Sequence, residues 1–124
     1  MAYTKYEEYV SYRLYAVREL LKDEKVGVRL FFELLAEEMT FANVRHGGGQ
    51  LVLTGSEAQR RHLEEESGYS WGTIKVYISI LIKKGLIRRV GRDCLQINPN
   101  FAYKGRGDYA PIICRMWDEA VVGT

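Results

Sequence analysis

The segment 56–98 constrains the fold most, because it sets helix starts and stops in a fixed order. Ser56 and Ser70 each precede an amphipathic run, and a serine oxygen can accept hydrogen bonds from the free N–H groups of a first helical turn. The first run breaks at 67–69, and the second ends at Gly85, a residue that tolerates the left-handed turn after a helix. The predicted helices span 57–66 and 71–84.

Two short apolar runs follow these helices. Leu86–Val90 and Cys94–Asn98 are separated by Gly91-Arg92-Asp93, which predicts a tight β-hairpin. Pro99 has no N–H to donate and closes the second strand. An earlier strand, Gln50–Thr54, is available as a third member of the sheet. A helix–turn–helix followed by a hairpin is the layout of a winged helix.

The remaining segments add helices at both ends of this unit. Apolar spacings of three and four predict helices over 3–22, 26–39 and 110–120, with a loop over 40–49. We therefore predict a single α+β domain, mainly helical with a small antiparallel sheet. Its parts are an N-terminal helix over 1–24, a winged helix–turn–helix core over 26–105 and a C-terminal helix over 108–124.

The basic residues are unevenly distributed, although the net charge is only +2. Residues 68–105 contain seven Lys and Arg side chains against one acid, Asp93. A local basic surface on a nearly neutral protein is the electrostatic footprint of a polyanion site. The sequence therefore predicts a nucleic-acid partner for this segment.

The outward side of helix 71–84 and the hairpin form the predicted DNA-binding surface. Hydroxyl groups and a free helix N-terminus suit phosphate contacts, and Trp71 and Lys75 are long enough to reach base edges in a major groove. Arg92 at the hairpin tip is expected to clamp a phosphate or enter a minor groove. The predicted DNA-binding residues are Ser70, Trp71, Gly72, Thr73, Lys75, Val76, Ser79, Arg88, Arg89 and Arg92.

This stretch also resembles the RepL-type plasmid replication proteins, which are winged-helix initiators of small bacterial plasmids and some phages. The resemblance covers about residues 28–105. Its motifs are Phe31-Phe32-x-Leu34-Leu35 with Leu51-Val-Leu-Thr54, Ser70-x-x-Thr73-Ile74-x-x-x-Ile78-x-x-Leu81-x-x-x-Gly85-Leu86-Ile87 with Arg88-Arg89, and Ile97-Asn98-Pro99 with Lys104-Gly105. It implies binding at a replication origin and recruitment of host replication proteins. The chain departs from the family pattern at Glu64, where such helices place a small residue, and at Gly47–Gly49, which lengthens a loop.

No pattern typical of catalysis or metal binding is present in the sequence. His46, His62, Cys94 and Cys114 do not have the spacings of zinc ligands, and the two cysteines are expected to be reduced and buried. There is no His-x-His pair for metal-dependent nicking and no Gly-x-x-x-x-Gly-Lys loop for a nucleotide. We therefore predict no catalytic residues, no metal and no cofactor, with a nicking enzyme as the least favoured alternative.

Five tyrosines recur at every third position from Tyr3 to Tyr15. Three residues turn a helix by about 300°, so the five rings sweep about 240° and one face cannot bury them all. Either some rings stay exposed, or a second protomer covers them. Tyrosine suits such an interface because its ring is apolar and its hydroxyl can remain hydrated. The residues assigned to this homodimer interface are Tyr3, Tyr6, Tyr9, Val10, Ile113 and Trp117.

These observations predict sequence-specific binding of double-stranded DNA, by an initiator or copy-control protein at a plasmid or phage origin. A transcriptional repressor would use the same surface, and a winged-helix module that docks proteins is the alternative of another class. No apolar run approaches the roughly 18 residues that a bilayer span needs, and the acidic, aromatic N-terminus does not resemble a signal peptide. We expect a cytoplasmic bacterial protein without a membrane partner.

Overall fold

The core is built around a helix whose apolar residues recur at intervals of three and four. A computed structural model describes residues 10–122 of the chain, with side chains as far as residue 120. The helices in that range are α1 (Leu14–Leu20), α2 (Val26–Glu38), α3 (Glu57–Ser67), α4 (Trp71–Lys83) and α5 (Ala110–Val122). The buried residues of α2 are Val28, Phe31, Phe32, Leu35 and Ala36. Helix α2 therefore lies within a residue of its predicted bounds and supplies the largest side chains of the core.

The paired serine caps of α3 and α4 are confirmed. The Ser56 hydroxyl oxygen accepts a hydrogen bond from the Gln59 N–H, and the Gln59 side chain returns one to the Ser56 N–H, so α3 begins with a capping box. The Ser70 hydroxyl oxygen accepts from the Thr73 N–H at the start of α4. Gly68 ends α3 with φ +77°, a left-handed conformation that favours glycine. Local side-chain chemistry thus fixes where both helices begin and where α3 ends.

The strands are short and antiparallel. In the described part of the chain they are β1 (Val10–Tyr12), β2 (Ala42–Asn43), β3 (Gly48–Gly49), β4 (Leu51–Leu53), β5 (Ile87–Arg89), β6 (Cys94–Ile97) and β7 (Ala102–Lys104). The largest sheet has the order β4-β6-β5, so the early strand joins the hairpin as predicted. The fold is α+β, with small antiparallel sheets packed against helices.

The two faces of the three-stranded sheet have different partners. Leu95 and Ile97 are fully buried in the main core with α2 and α4. Gln96 lies between them in sequence and therefore faces the opposite side of the sheet. Helix α5 covers that side, where Ile113 and Trp117 are 2% and 7% exposed. The sheet is consequently buried on both faces over part of its width.

The N-terminal helix predicted over 3–22 is wrong over Val10–Tyr12, which forms strand β1. β1 pairs with β7, so Val10 lies opposite Lys104. The Tyr12 hydroxyl donates to Glu37 Oε1 at 2.9 Å. The pKa of Tyr12 is raised, mainly by burial and also by the hydrogen bond to this carboxylate. Only residues 14–20 of the predicted helix are helical, and residues 3–9 lie outside the described residues.

The predicted loop 40–49 is folded more tightly than its three glycines suggested. β2 and β3 pair as a small hairpin, and Gly48 and Gly49 are buried. The Gln96 side chain donates to the carbonyl oxygens of Gly47 and Gly49 at 3.0 and 2.9 Å. One buried glutamine of the sheet therefore holds the glycine segment in place.

Gln50 follows this segment and has a backbone φ of +57°, which residues other than glycine rarely adopt. It is 1% exposed, and its amide nitrogen donates to the carbonyl oxygens of Ile97 and Ala102, both at 3.1 Å. Its amide oxygen accepts from the Lys104 N–H at 2.7 Å. These bonds tie the sheet to β7 and hold the backbone in the left-handed region.

We expect Gln50→Gly to destabilise the fold although glycine prefers this φ. Removing the amide leaves the buried Lys104 N–H and Ala102 carbonyl without their partner, at about 1–3 kcal/mol for each unsatisfied group, against about 1 kcal/mol of relieved strain. Urea unfolding of Gln50→Gly and Gln50→Leu measures both terms, since only the leucine variant keeps the strain. A glycine variant as stable as the native chain would show that the hydrogen bonds contribute no more than the relieved strain.

Helices α2 and α3 are joined by an ion pair between His62 Nε2 and Glu38 Oε1 at 3.0 Å. The hydrogen bond to Glu38, and then the charge of Glu38, raise the pKa of His62 above its ordinary 6.5. Because the folded-state pKa is the higher one, the stabilisation is complete below pH 6.5 and is lost as pH rises through the folded value.

The free energy of unfolding of the native chain should therefore exceed that of His62→Gln most at pH below 6.5. The difference should shrink as the pH is raised above that value, in urea titrations at a series of pH values. His46→Gln provides a matched control outside the ion pair. A difference that grows with pH would contradict the assignment.

Candidate nucleic-acid interface

Helix α4 presents two chemically distinct faces. Ile74, Ile78 and Leu81 are buried in the core. The opposite face consists of side chains spaced by three and four, which places them in one stripe along the helix. This outward stripe consists of Gly72, Lys75, Val76, Ser79 and Lys83, all exposed. α4 carries no Asp or Glu, so Lys75 and Lys83 give the outward stripe a net positive charge.

The N-terminus of α4 is not the free phosphate site that the sequence predicted. Glu64 Oε2 accepts a hydrogen bond from the Trp71 N–H at 2.9 Å. The Ser70 hydroxyl caps Thr73 N and also donates to Thr73 Oγ1 at 3.3 Å. A carboxylate at the positive end of a helix dipole competes with a phosphate for the same N–H groups. The Glu64 carboxylate thus occupies the position at which the sequence predicted a bound phosphate.

Trp71 is half-buried and packs inside the domain rather than extending freely into solvent. The Arg60 guanidinium lies over its ring, 5.3 Å from the centroid, and Arg60 Nε donates to the Thr54 carbonyl at 3.0 Å. Arg60 therefore places a cation beside the start of α4. Sequence reasoning missed it because Arg60 precedes the basic block, in a segment with a net negative charge.

Arg88 and Arg89 lie on opposite faces of the sheet, because side chains alternate along strand β5. Arg88 faces α5: its guanidinium is 3.9 Å from the centroid of the Trp117 ring, and Nη1 donates to the Trp117 carbonyl at 3.2 Å. Arg88 Nε also donates to Gln96 Oε1 at 2.9 Å, and burial lowers the pKa of Arg88. Arg88 therefore attaches α5 to the sheet, and these contacts occupy the guanidinium that the sequence assigned to DNA.

Arg89 and Arg92 remain available to a partner. Arg89 follows Ile87, which is buried in the same core as α4, so the alternation places Arg89 on the α4 side of the sheet. Arg92 is exposed at the turn between β5 and β6. Neither they nor Lys75 and Lys83 form an ion pair with any carboxylate in residues 10–120. We call Arg60, Lys75, Lys83, Arg89 and Arg92 the cationic set.

Two residues of the predicted dimer interface, Ile113 and Trp117, are buried in the chain's own interior. Ile113 packs beside Gly48, and Trp117 lies under Arg88. Val10 lies in strand β1, half-buried against the main core, and its place in a dimer interface stays a prediction. Tyr3, Tyr6 and Tyr9 are outside the described residues. Ile113 and Trp117 thus serve internal packing, which the amphipathic pattern alone could not distinguish from association, whereas Ile112 of the same helix is 45% exposed.

The four residues considered as metal ligands are His46, His62, Cys94 and Cys114. Between residues 10 and 122, no three His, Cys, Asp or Glu side chains are grouped to hold a metal ion. His62 pairs with Glu38. Cys94 and Cys114 are free, half-buried thiols whose pKa values are raised by burial.

Comparison with known proteins finds no matching family model, no matching curated sequence and no matching solved structure. Across the described part of the chain, no helix has both the length and the apolarity required to cross a membrane.

The different positions of Arg88 and Arg89 generate a prediction about stability. Arg88→Ala should reduce the free energy of unfolding by about 2 kcal/mol, since it removes a stacked cation and two hydrogen bonds. Arg89→Ala should stay within about 0.5 kcal/mol of the native chain, as for an exposed side chain. Urea unfolding of the two variants measures this contrast. Equal losses would contradict the assignment of Arg88 to α5.

Proposed function

We propose that the chain is a winged helix–turn–helix protein that binds double-stranded DNA sequence-specifically. The order of α2, β4, α3, α4, β5 and β6, with strand order β4-β6-β5, supports this architecture. The observation that carries the function is the carboxylate-free outward stripe of α4, next to a hairpin that presents Arg89 and Arg92. α4 would enter the major groove, and the hairpin would contact the flanking backbone.

The biological setting that we propose is a plasmid or phage replication origin in the bacterial cytoplasm. The resemblance of residues 28–105 to RepL-type proteins supports it, and it implies recruitment of host replication proteins without catalysis by this chain. The same DNA-binding surface would also serve a transcriptional repressor. Selection of bound sequences from random duplexes separates these roles, since iterated repeats indicate an origin and one palindrome indicates an operator and a homodimer.

The salt dependence of DNA affinity tests the proposal. Four phosphate contacts, by Arg60, Lys83, Arg89 and Arg92, would make log K fall with log salt by roughly 3.6, at about 0.9 per contact. We expect Lys83→Ala combined with Arg89→Ala to lower this slope, measured by fluorescence anisotropy on the selected duplex. Lys22→Ala combined with Lys25→Ala removes the same charge from exposed positions outside the cationic set and should leave the slope unchanged. A flat salt profile would instead favour a protein-docking module.

Lys75 and Arg92 should differ in what they contribute. Lys75→Ala should reduce discrimination between the selected and a scrambled duplex by about 1–3 kcal/mol if Lys75 contacts a base edge. Arg92→Ala should weaken both duplexes about equally, as expected for a phosphate contact. If Arg92→Ala leaves both affinities unchanged, the hairpin does not contact DNA.

Gly72 provides a prediction in which stability and binding change in opposite directions. A methyl group added at Gly72 would meet only the Ser70 hydroxyl, at an ordinary 3.9 Å, and its φ is not left-handed. Nothing in the described fold therefore requires glycine there, whereas close approach of DNA does. Gly72→Ala should stabilise the fold by about 0.5 kcal/mol and weaken DNA binding.

Urea unfolding and anisotropy on the same samples measure the two effects. Gly107→Ala is the matched control, because a methyl group at Gly107 meets no atom of the described residues within 4 Å and Gly107 lies outside the outward stripe, so its DNA affinity should stay unchanged. Unchanged DNA affinity of Gly72→Ala would place Gly72 outside the interface.

A further inference from the structure

Val76 is the large apolar side chain that α4 leaves exposed, with 56% of its surface accessible. It lies in the middle of the outward stripe, one residue after Lys75. Its neighbours along that stripe are Gly72, four residues before it, and Ser79, three residues after it. Both neighbours are small, so the Val76 methyl groups are open to a surface that approaches the helix from outside.

The chemistry of Val76 restricts what it can recognise. Valine has no hydrogen-bonding group, so it cannot contact the donors and acceptors that distinguish most base edges. The apolar group that a base pair presents in the major groove is the C5 methyl of thymine. A β-branched side chain in a helix also has one strongly preferred rotamer, so little side-chain entropy is lost on contact.

We infer that Val76 contacts the C5 methyl group of a thymine in the major groove and thereby determines part of the sequence preference. This inference rests on the proposed DNA-binding function. Its chemistry is that of a pyrimidine C5 methyl, which 5-methylcytosine also carries in methylated DNA. We assign thymine because unmodified DNA already supplies this group.

The test uses the full chain and the duplex selected from random DNA. Each thymine of that duplex is replaced in turn by uracil, which removes the C5 methyl and preserves the base pairing. At one or more positions we expect the native chain to lose affinity by about fourfold, the effect of one buried methyl-sized group. At those positions Val76→Ala should lose most of this preference, so that it binds the thymine and uracil duplexes with nearly equal affinity.

Val26→Ala is the control for the substitution itself. Val26 is 63% exposed on α2, outside the outward stripe, and its alanine variant should keep the native thymine preference. At each sensitive position, a C·G pair and a 5-methylcytosine·G pair are also compared. Tighter binding of the 5-methylcytosine duplex than of the cytosine duplex supports a methyl contact. If the 5-methylcytosine duplex also binds more tightly than the thymine duplex, methylated DNA is the source of the methyl group and the assignment to thymine is overturned.

The remaining outcomes are distinguishable. A native chain that binds the selected duplex but tolerates uracil everywhere overturns the thymine contact and leaves the proposed function standing. Full uracil sensitivity in Val76→Ala assigns the methyl contact to another residue and also overturns the inference. Failure of the native chain to select any duplex overturns the proposed function and the inference with it.

Discussion

Burial of the apolar side of α4 is the constraint on which the rest of this molecule depends. Ile74, Ile78 and Leu81 pack in the same core as α2 and the inner face of the sheet. Their burial fixes the rotation of α4 about its axis, and this rotation leaves the outward stripe accessible. A charge at Ile78 would therefore disturb the core and the candidate interface together, because the same helix forms both.

The structure divides the basic residues of the 68–105 block into two groups with different roles. Arg88 and Lys104 hold elements together: Lys104 Nζ donates to the carbonyl oxygens of Glu37 and Met39 at 2.8 and 3.0 Å. Lys75 and Arg92 have no such attachment among the described residues. A count of charges along the sequence thus overstates the cations available to a polyanion. Arg60, contributed by α3, adds an exposed cation beside the start of α4, although its Nε also donates to the Thr54 carbonyl.

Sequence reasoning succeeded where the signals are local. The serine caps and glycine stops predicted the ends of α3 and α4 to within about a residue, and apolar periodicity located α2 and α5. It failed where the decisive partner is remote: β1 pairs with β7 about ninety residues away, and three-residue strands carry almost no periodic signal. The alternation that separates Arg88 from Arg89 was readable in the sequence, but the helix that covers Arg88 was not. Likewise, the hydrogen bond from Trp71 to Glu64 depends on how α3 meets α4.

The Glu64 carboxylate at the first turn of α4 has a consequence for docking orientation. The first N–H of α4 already serves this internal acid and the Thr73 N–H serves the Ser70 hydroxyl, so the helix gains little by pointing its end at a sugar–phosphate strand. On the proposed function, α4 would instead lie lengthwise along the groove floor, with Lys75 and Lys83, about two turns apart, reaching successive positions of the duplex. The footprint would then be centred on the middle of the helix rather than on its tip.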